Sequence, residues 1–169
     1  MSKKAKEYLT GALLGLILGA LFFAKLVFAA PREEVVIPDD VVFWCEKYGN
    51  DYGISPEILE AVCWVESRCT TSAQSPDKSC KGLMQIKPSC HRERMDRLGV
   101  RNIFGTWENI KVGADYLAEL SEDEDIAVAL TIYNGQSESW IEAARKGQYS
   151  GYVKRIFQIS EELEEAHLK

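Results

Sequence analysis

One carboxylate in the sequence lies where it could carry a proton in catalysis. Glu66 ends the apolar stretch AVCWVESRC. Three apolar residues precede it by eight, seven and four positions, which places them on its face of a helix: Ile58, Leu59 and Val62. Burial of that face and the negative end of the helix dipole would both raise the pKa of Glu66. A carboxyl group that stays protonated near neutral pH is what a general acid for glycosidic cleavage requires.

The helix pattern alone leaves a second interpretation open. A glutamate at the end of an apolar stripe is usually solvated. On that interpretation Glu66 lies at the surface and pairs with Arg68 or with a distant lysine. The position of Glu66 on its helix favours this simpler interpretation. Motifs elsewhere in the chain are needed to distinguish a surface glutamate from a catalytic one.

The segments that must position Glu66 have helical patterns, and none shows the alternation of a strand. Ser55 and Pro56 predict the start of the helix that carries Glu66. Asp39 and Asp40 predict the start of the preceding helix, which should end near Gly49 and Asn50.

The remainder of the chain also predicts helices. A loop is expected over residues 67–82, with short helical pieces from Pro88 to Leu98. Longer helices should begin at Thr106, after the capping pattern of Ser121 and Glu124, around Trp140 and near Tyr152. These patterns predict a mainly α, nearly all-helical single domain over residues 39–169.

Composition argues against two classes of partner. The formal net charge is -6 and the basic residues are interleaved with acidic ones, so nucleic acid is not expected to bind. The chain has only two histidines and no C-x-x-C pair. A metal site is therefore not expected, and neither is a cofactor.

The N-terminus predicts export. Lys3, Lys4 and Lys6 precede an uncharged apolar block over residues 9–24. Residues 1–30 are therefore interpreted as a signal peptide or an uncleaved membrane anchor, followed by a linker over residues 31–38. The pattern does not separate cleavage from anchoring, but both place the domain outside the cytoplasm.

The cysteine pattern fits an exported protein, which can keep disulfides. Among the five cysteines, Cys69 and Cys80 are the preferred pair, since they would close the loop that follows the helix of Glu66. Such a short loop would contribute roughly 2 to 3 kcal/mol in a chain-entropy model. The alternative is five reduced thiols that pack as small apolar groups.

Five short motifs in order make the chain resemble the lytic transglycosylases of the soluble type, which have a lysozyme-like fold and cut bacterial peptidoglycan. The motifs are Glu66-Ser67, Ser75-Pro76, Gly82 to Gln85, Asn109-Ile110 with Gly113 and Tyr116-Leu117, and Tyr133-Asn134; a late Tyr152-Val153 also matches. Each motif alone is weak, but their order and distances together are specific. The resemblance covers most of the chain after residue 40.

The resemblance implies a reaction and a catalytic residue. Family members cleave the β-1,4 bond between N-acetylmuramic acid and N-acetylglucosamine in peptidoglycan strands and leave a 1,6-anhydro sugar. Glu66 would protonate the leaving oxygen and then act as base toward the muramic 6-hydroxyl. A single carboxylate suffices where the substrate assists, and Asp77, the nearest acid in the following loop, would be a less favoured second group.

The resemblance also implies a set of substrate-binding residues: Ser75, Met84, Gln85, Tyr133 and Asn134. Ser75 would bond a sugar N-acetyl group, and the Tyr133 hydroxyl would face Glu66. Gln85 would bond sugar hydroxyls, or else only the backbone of its loop. Met84 and Asn134 each have a simpler interpretation, as packing and as a helix end.

The chain departs from the family pattern in two places near the expected site. The loop after Pro76 is longer by one residue, with the sequence DKSCK, and Lys87 stands where a methionine is common. These differences concern how the glycan is held rather than the acid.

Two other functions remain open at this stage. One is a muramidase that hydrolyses the same bond with water. The other is a wall-binding scaffold subunit without catalysis, although such a subunit needs no acid. A small catalytic domain also suits local wall opening for a secretion or conjugation apparatus.

Overall fold

The computed structural model describes residues 33–168. The predicted signal or anchor over residues 1–30 and the start of the linker lie outside the described residues. The chain divides after Glu34, and the described helices all lie in the unit that begins at Val35. Within residues 33–168, no helix combines the length and the apolar character needed to cross a membrane.

The prediction of a mainly α fold is confirmed, since residues 33–168 contain helices and isolated β-bridges but no strand. The helices are α1 (Asp39–Tyr52), α2 (Pro56–Ser67), α3 (Arg92–Leu98), α4 (Thr106–Leu120), α5 (Ile126–Tyr133), α6 (Glu138–Arg145) and α7 (Gly151–His167).

Helix α2 lies at the centre of the packing. It contacts α7 and α1, and α1 in turn contacts α4. Its residues Leu59, Ala61, Val62 and Cys63 have no exposed surface, because the apolar residues recur at the three- and four-residue spacing that forms a helix face. The burial of α2 on two sides fixes the direction in which its last turn points.

The end of α1 lies beyond the position predicted from sequence. The helix continues through Gly49 to Tyr52 and ends at Gly53, which adopts φ +70°. Gly49 is buried inside the helix, and a Cβ there would lie 2.7 Å from the carbonyl oxygen of Ile54. Gly49 is therefore a site of close packing against the next turn, whereas Gly53 is the left-handed residue that ends the helix.

The cap of α5 also differs from the prediction. Ser121 is the C-terminal cap of α4 rather than an N-terminal cap. Helix α5 begins at Ile126, and the Asp125 side chain accepts hydrogen bonds from the backbone N–H groups of Ala127 and Val128. Both serine and aspartate are favoured at the N-cap of a helix. In this structure the N-cap is Asp125, which directly precedes the apolar residues of α5.

A buried carboxylate fastens α3 to α4. Asp115 accepts hydrogen bonds from Arg94 Nε at 2.8 Å and from Arg97 at 2.7 Å, and Arg94 also pairs with Glu119. The guanidinium groups hold the pKa of Asp115 below its usual value although burial acts in the opposite direction. Arg94 also lies 2.7 Å from His91 Nδ1, so this network contacts the residue that immediately precedes α3.

The predicted Cys69–Cys80 disulfide is absent, and all five cysteines are free thiols. The two side chains lie in different surroundings. Burial raises the pKa of Cys69 to about 12, with the neighbouring Cys63 thiol and the carboxylates of Glu60 and Asp40 acting in the same direction. Cys80 instead lies against Ser79 and lines a groove with Tyr133. The two thiols therefore have different neighbours.

Candidate active site

Glu66 is the penultimate residue of α2, and its side chain is half-buried. The helix ends because Arg68 and Cys69 adopt left-handed backbone angles, with φ 53° and 55°. Burial raises the pKa of Glu66, and a hydrogen bond from Tyr152 opposes that shift in part. A carboxyl group with a raised pKa can hold its proton near neutral pH, as a general acid must.

The hydrogen bond to Glu66 comes from a distant helix. Tyr152 lies in the first turn of α7, and its hydroxyl donates to Glu66 Oε1 at 2.7 Å. The packing of α7 on α2 brings the two residues together across 86 positions of sequence. Burial raises the pKa of Tyr152 well above its usual value, and the negative charge of Glu66 adds to the shift. Tyr152 therefore stays protonated and acts as a donor.

The residue after the acid connects α2 to the loop that faces it. Ser67 Oγ donates to the carbonyl oxygen of Leu83 at 2.8 Å and also lies 3.1 Å from the carbonyl oxygen of Cys63. This hydrogen bond joins the end of the acid-bearing helix to the Gly82–Gln85 turn. The predicted Glu-Ser motif thus has a structural basis in its serine.

Asn109 holds the same turn from the opposite side. Its Oδ1 accepts from the Met84 N–H at 2.8 Å, and its Nδ2 donates to the carbonyl oxygens of Lys81 at 2.9 Å and Ile103 at 2.7 Å. Asn109 is fully buried in α4. All of its polar atoms are satisfied, which is the condition for burying an amide without a large cost.

Gly82 is required by both backbone angle and space. It adopts φ +78°, and a Cβ there would lie 2.2 Å from Asn109 Nδ2. Lys81 forms antiparallel bridges with Gln74 and Ile86, so the turn sits in a small hairpin-like loop. Only glycine combines the left-handed angle with this close approach.

A groove runs beside Glu66 and consists of two adjoining cavities. The acid cavity has a volume of about 450 Å³ and is lined by Glu66, Gln74, Ser75, Pro76, Cys80, Gln85, Tyr133 and Asn134. The neighbouring cavity, of about 330 Å³, shares four of these residues and adds Lys87, Cys90, His91 and Tyr116 among others. Both volumes lie within the range of small-molecule sites, and their continuity suits an extended ligand.

The groove contains four of the five residues that the sequence suggested for substrate binding. Ser75, Gln85, Tyr133 and Asn134 line the acid cavity together with Glu66. Met84 does not line it, because its side chain is fully buried and packs against Gly113. Their roles in binding stay predictions.

Ser75 and Asp77 are engaged in holding their own loop. The Ser75 hydroxyl donates to Asp77 Oδ1 at 2.5 Å and accepts from the Cys80 N–H at 3.0 Å. Asp77 also accepts from the Ser79 N–H and hydroxyl, and these hydrogen bonds, the one from Ser75 first, lower its pKa to about 2. Asp77 is exposed and is not among the residues that line the acid cavity.

Gln85 and Asn134 present polar atoms to the groove from fixed backbones. Gln85 adopts φ 48°, and its Nε2 donates to the carbonyl oxygen of Gly82 at 2.9 Å. That bond leaves the Gln85 side-chain oxygen available as an acceptor. Asn134 caps the C-terminus of α5 and is exposed, with its side-chain oxygen accepting from Gln136 Nε2.

Tyr133 stabilises the turn and not the acid directly. Its hydroxyl donates to the carbonyl oxygen of Met84 at 2.8 Å, and its ring lies 5.4 Å from that of Tyr116. Burial raises its pKa well above the usual value, followed by the charge of Glu66. Tyr133 is therefore near the carboxylate, but the hydroxyl bonded to Glu66 belongs to Tyr152.

Sequence reasoning did not assign Tyr152 to the site. Its signal was the late Tyr-Val pair, which matched a motif without indicating a contact. The spacing of apolar residues indicates which face of α7 is buried. It does not indicate which residue of another helix contacts that face. The contact depends on how α7 crosses α2.

The acid cavity thus offers one carboxyl group for proton transfer. Of the described residues that line the acid cavity, Glu66 alone is a carboxylate. It is partly desolvated and hydrogen-bonded to a neutral donor. This arrangement can give a proton to a leaving group and take one back, but it provides no second carboxylate to generate a covalent intermediate or to activate water.

Comparison with known proteins agrees with this geometry. Residues 43–152 match the family model described as the transglycosylase SLT domain, and this range contains both Glu66 and Tyr152. A similar protein is the X polypeptide of Escherichia coli, which is 32% identical over 117 residues, covering 64% of this chain and 69% of the relative.

Proposed function

Because the chain belongs to the transglycosylase SLT family, which acts on peptidoglycan, we propose that it is a lytic transglycosylase with Glu66 as its one acid-base group. Its substrate is the β-1,4 bond between N-acetylmuramic acid and N-acetylglucosamine. The observation that carries the proposal is the single half-buried carboxylate of the groove, which accepts a hydrogen bond from the Tyr152 hydroxyl at 2.7 Å.

The proposed reaction uses Glu66 twice. The protonated carboxyl group first gives its proton to the glycosidic oxygen as the bond to C1 of the muramic residue breaks. The resulting carboxylate then takes the proton of the muramic 6-hydroxyl, whose oxygen forms a bond to C1 and closes the 1,6-anhydro ring. Tyr152 donates its hydrogen bond to the ionised form and so limits how far burial raises the pKa of Glu66.

The remaining groove residues have supporting parts in the proposal. Gln85 and Asn134 offer amide groups to sugar hydroxyls, and Ser75 and Tyr133 hold the walls through their own hydrogen bonds. No cofactor takes part, since proton transfer and ring closure need none.

The setting of the reaction follows from the substrate. Peptidoglycan lies outside the cytoplasm, so the domain acts in the cell envelope, where residues 1–30 would deliver or anchor it. The family match leaves the larger assembly open. A catalytic domain of this size suits local opening of the wall for a secretion or conjugation apparatus, which we propose as its context by analogy.

The test compares Glu66→Gln with wild type on purified peptidoglycan. The amide keeps the size of the side chain but has no transferable proton, so release of soluble muropeptides should fall by about 100-fold or more. Glu165→Gln is the matched control, because Glu165 is exposed on α7. Full activity of Glu66→Gln would contradict the proposal.

Mass spectrometry of the products defines the reaction type. Ring closure gives anhydro-muropeptides, which are one water lighter than the products of hydrolysis. Products of the hydrolytic mass would identify a muramidase, and binding to the wall without any release would identify a scaffold protein.

A further inference from the structure

A second cavity lies away from the groove, between α1, α2 and the end of α7. It has a volume of about 470 Å³ and is lined by Val42, Glu46, Asn50, Pro56, Glu57, Glu60 and His167. It shares no lining residue with the acid cavity. Glu60 lies six positions before Glu66 on α2, a rotation of about 240° on a helix, so the two carboxylates point to different sides. We call this cavity the α1–α7 pocket.

The α1–α7 pocket contains a buried carboxylate without a hydrogen-bond partner. The Glu60 side chain is 1% exposed, and neither of its oxygens accepts a hydrogen bond from any described residue. An unsatisfied buried acceptor is costly in a folded protein, more so when it is charged. The position on α2 is an apolar one by pattern, so packing does not account for the choice of glutamate.

The charges around the α1–α7 pocket favour a cation. Three glutamates from α1 and α2 line it, and the described lining residues include neither lysine nor arginine. The one basic group among these described residues is the His167 imidazole, which lies 3.5 Å from Glu57 and 3.9 Å from Glu60. Both distances exceed those of normal hydrogen bonds, so the ring lies between the carboxylates without satisfying Glu60. Glu57 accepts a hydrogen bond from the Ser55 hydroxyl at 2.7 Å, which leaves its other oxygen toward the His167 ring.

The size and ligand set of the α1–α7 pocket indicate an organic cation. The volume is many times the roughly 30 Å³ that one water molecule occupies in the liquid. Among the residues that the structure describes, no group of three acidic, cysteine or histidine side chains is placed to hold a metal ion. A planar guanidinium has five N–H donors in a fixed fork and can bond two carboxylates at once.

We propose that the α1–α7 pocket binds the guanidinium group of an arginine side chain presented by another polypeptide. The guanidinium takes the position between Glu57 and Glu60 that the His167 ring now spans. His167 is 43% exposed and lies in the last turn of α7, so its side chain can rotate outward. Glu46, at the rim on α1, adds a third negative charge to the entrance.

The ionisation of Glu60 is consistent with such a ligand. Burial raises the pKa of Glu60 to about 7, with the charges of Glu57 and Glu46 acting in the same direction and His167 in the opposite one. A cation that binds the ionised form should bind more tightly as the pH rises through about 7.

The experiment measures binding of capped arginine amide to the full-length protein by calorimetry at pH 8. Capped citrulline amide, which has nearly the same shape and no charge, is the matched control ligand. Arginine should bind at least about tenfold more tightly than citrulline, a difference of about 1.4 kcal/mol. Capped lysine amide should bind less tightly than arginine, because one ammonium cannot span both carboxylates.

Two variants locate the binding. Glu60→Gln should abolish the preference for arginine over citrulline, and His167→Ala should strengthen arginine binding by vacating the space between the carboxylates. Equal binding of arginine and citrulline, an unchanged preference in Glu60→Gln, or tighter binding of lysine would each overturn the proposal. Muropeptide release by Glu60→Gln should match wild type, because the α1–α7 pocket does not contact the groove.

Discussion

At the scale of the residue, the chemistry of the groove depends on how one carboxyl group is surrounded. Glu66 is held between two opposing influences, burial that favours its neutral form and a hydrogen bond from Tyr152 that favours the ionised form. A group that must both give and take a proton benefits from such a balance, because its surroundings then support both the neutral and the ionised form. Asp77 shows the contrast, since hydrogen bonds alone lower its pKa to about 2.

The first residue-scale prediction concerns Tyr152→Phe. Loss of the hydroxyl removes the hydrogen bond that stabilises ionised Glu66, so the pKa of Glu66 should rise further. The alkaline limb of the pH–rate profile should move upward accordingly, and the maximal rate of muropeptide release should fall about tenfold. Tyr149→Phe is the control, and an unmoved alkaline limb in Tyr152→Phe would contradict the role assigned to the hydroxyl.

The second residue-scale prediction concerns Glu60→Gln and stability. The folded pKa of Glu60 is about 7, raised from its usual value by burial. The folded state therefore holds a proton that the unfolded state has lost between about pH 4.5 and 7, and wild-type stability falls as pH rises through that window. In the absence of ligand, Glu60→Gln should be more stable than wild type at pH 8 by about 3 kcal/mol.

Urea unfolding of both proteins at pH 4 and pH 8 measures this effect. The difference in the free energy of unfolding should be small at pH 4, where the wild-type carboxyl is protonated in both states. A difference that is equal at the two pH values would show that Glu60 does not change its ionisation on folding.

At the scale of the element, the Gly82–Gln85 turn is held by three helices. Ser67 at the end of α2 bonds the carbonyl oxygen of Leu83, and Asn109 in α4 bonds the Met84 N–H and the Lys81 carbonyl. The Tyr133 hydroxyl at the end of α5 adds a bond to the Met84 carbonyl. The turn is therefore a rigid wall of the groove although it has little regular secondary structure.

The element-scale prediction compares Gly82→Ala with Gly99→Ala. Both glycines adopt a left-handed angle, φ +78° and +71°, but only a Cβ at position 82 would meet other atoms within 4 Å. Gly99→Ala should cost about 1 kcal/mol of stability for the backbone angle alone. Gly82→Ala should cost about 3 kcal/mol and should lower activity as well, because Asn109 must move.

Denaturant unfolding and muropeptide release on both variants test this difference. Equal losses of stability would show that the backbone angle, and not the contact with Asn109, explains the glycine at position 82.

At the scale of the whole molecule, the site combines residues from two helices that lie far apart in the sequence. Glu66 comes from α2 and Tyr152 from α7; these helices contact each other, and Ile156 and Ile159 of α7 are completely buried. The position of the hydroxyl on the acid thus depends on the packing of the final helix. Stability and catalysis should be linked through this interface.

The whole-molecule prediction concerns Ile156→Ala. Removing this buried side chain should destabilise the fold by about 2 to 5 kcal/mol. Because the cavity lies one turn from Tyr152, activity at a temperature where the variant remains folded should also fall. Leu168→Ala is the control, since Leu168 is 82% exposed, and it should change stability by less than about 0.5 kcal/mol. Ile156→Ala with wild-type stability would contradict the packing described.

The sequence by itself determined the helical class, the position of the acid near the end of α2 and the order of the motifs around the groove. Those features follow from local rules: apolar spacing, caps and the conformational needs of glycine. Local rules also led to errors. Ser121 and Asp125 could each cap the start of α5, and the sequence pattern favoured the wrong one. Gly49 was predicted as a helix end, but it is a site of close packing inside α1.

Only the tertiary structure decided which groups meet across the fold. It assigned the hydroxyl on Glu66 to Tyr152 and not to Tyr133, left Cys69 and Cys80 as free thiols, and buried Glu60 without a hydrogen-bond partner among the described residues. The reason is that a helical pattern specifies a buried face, while the partner of that face depends on how distant helices cross. The identity and helix position of Glu66 thus follow from local sequence, whereas the contacts that change its pKa depend on the tertiary structure.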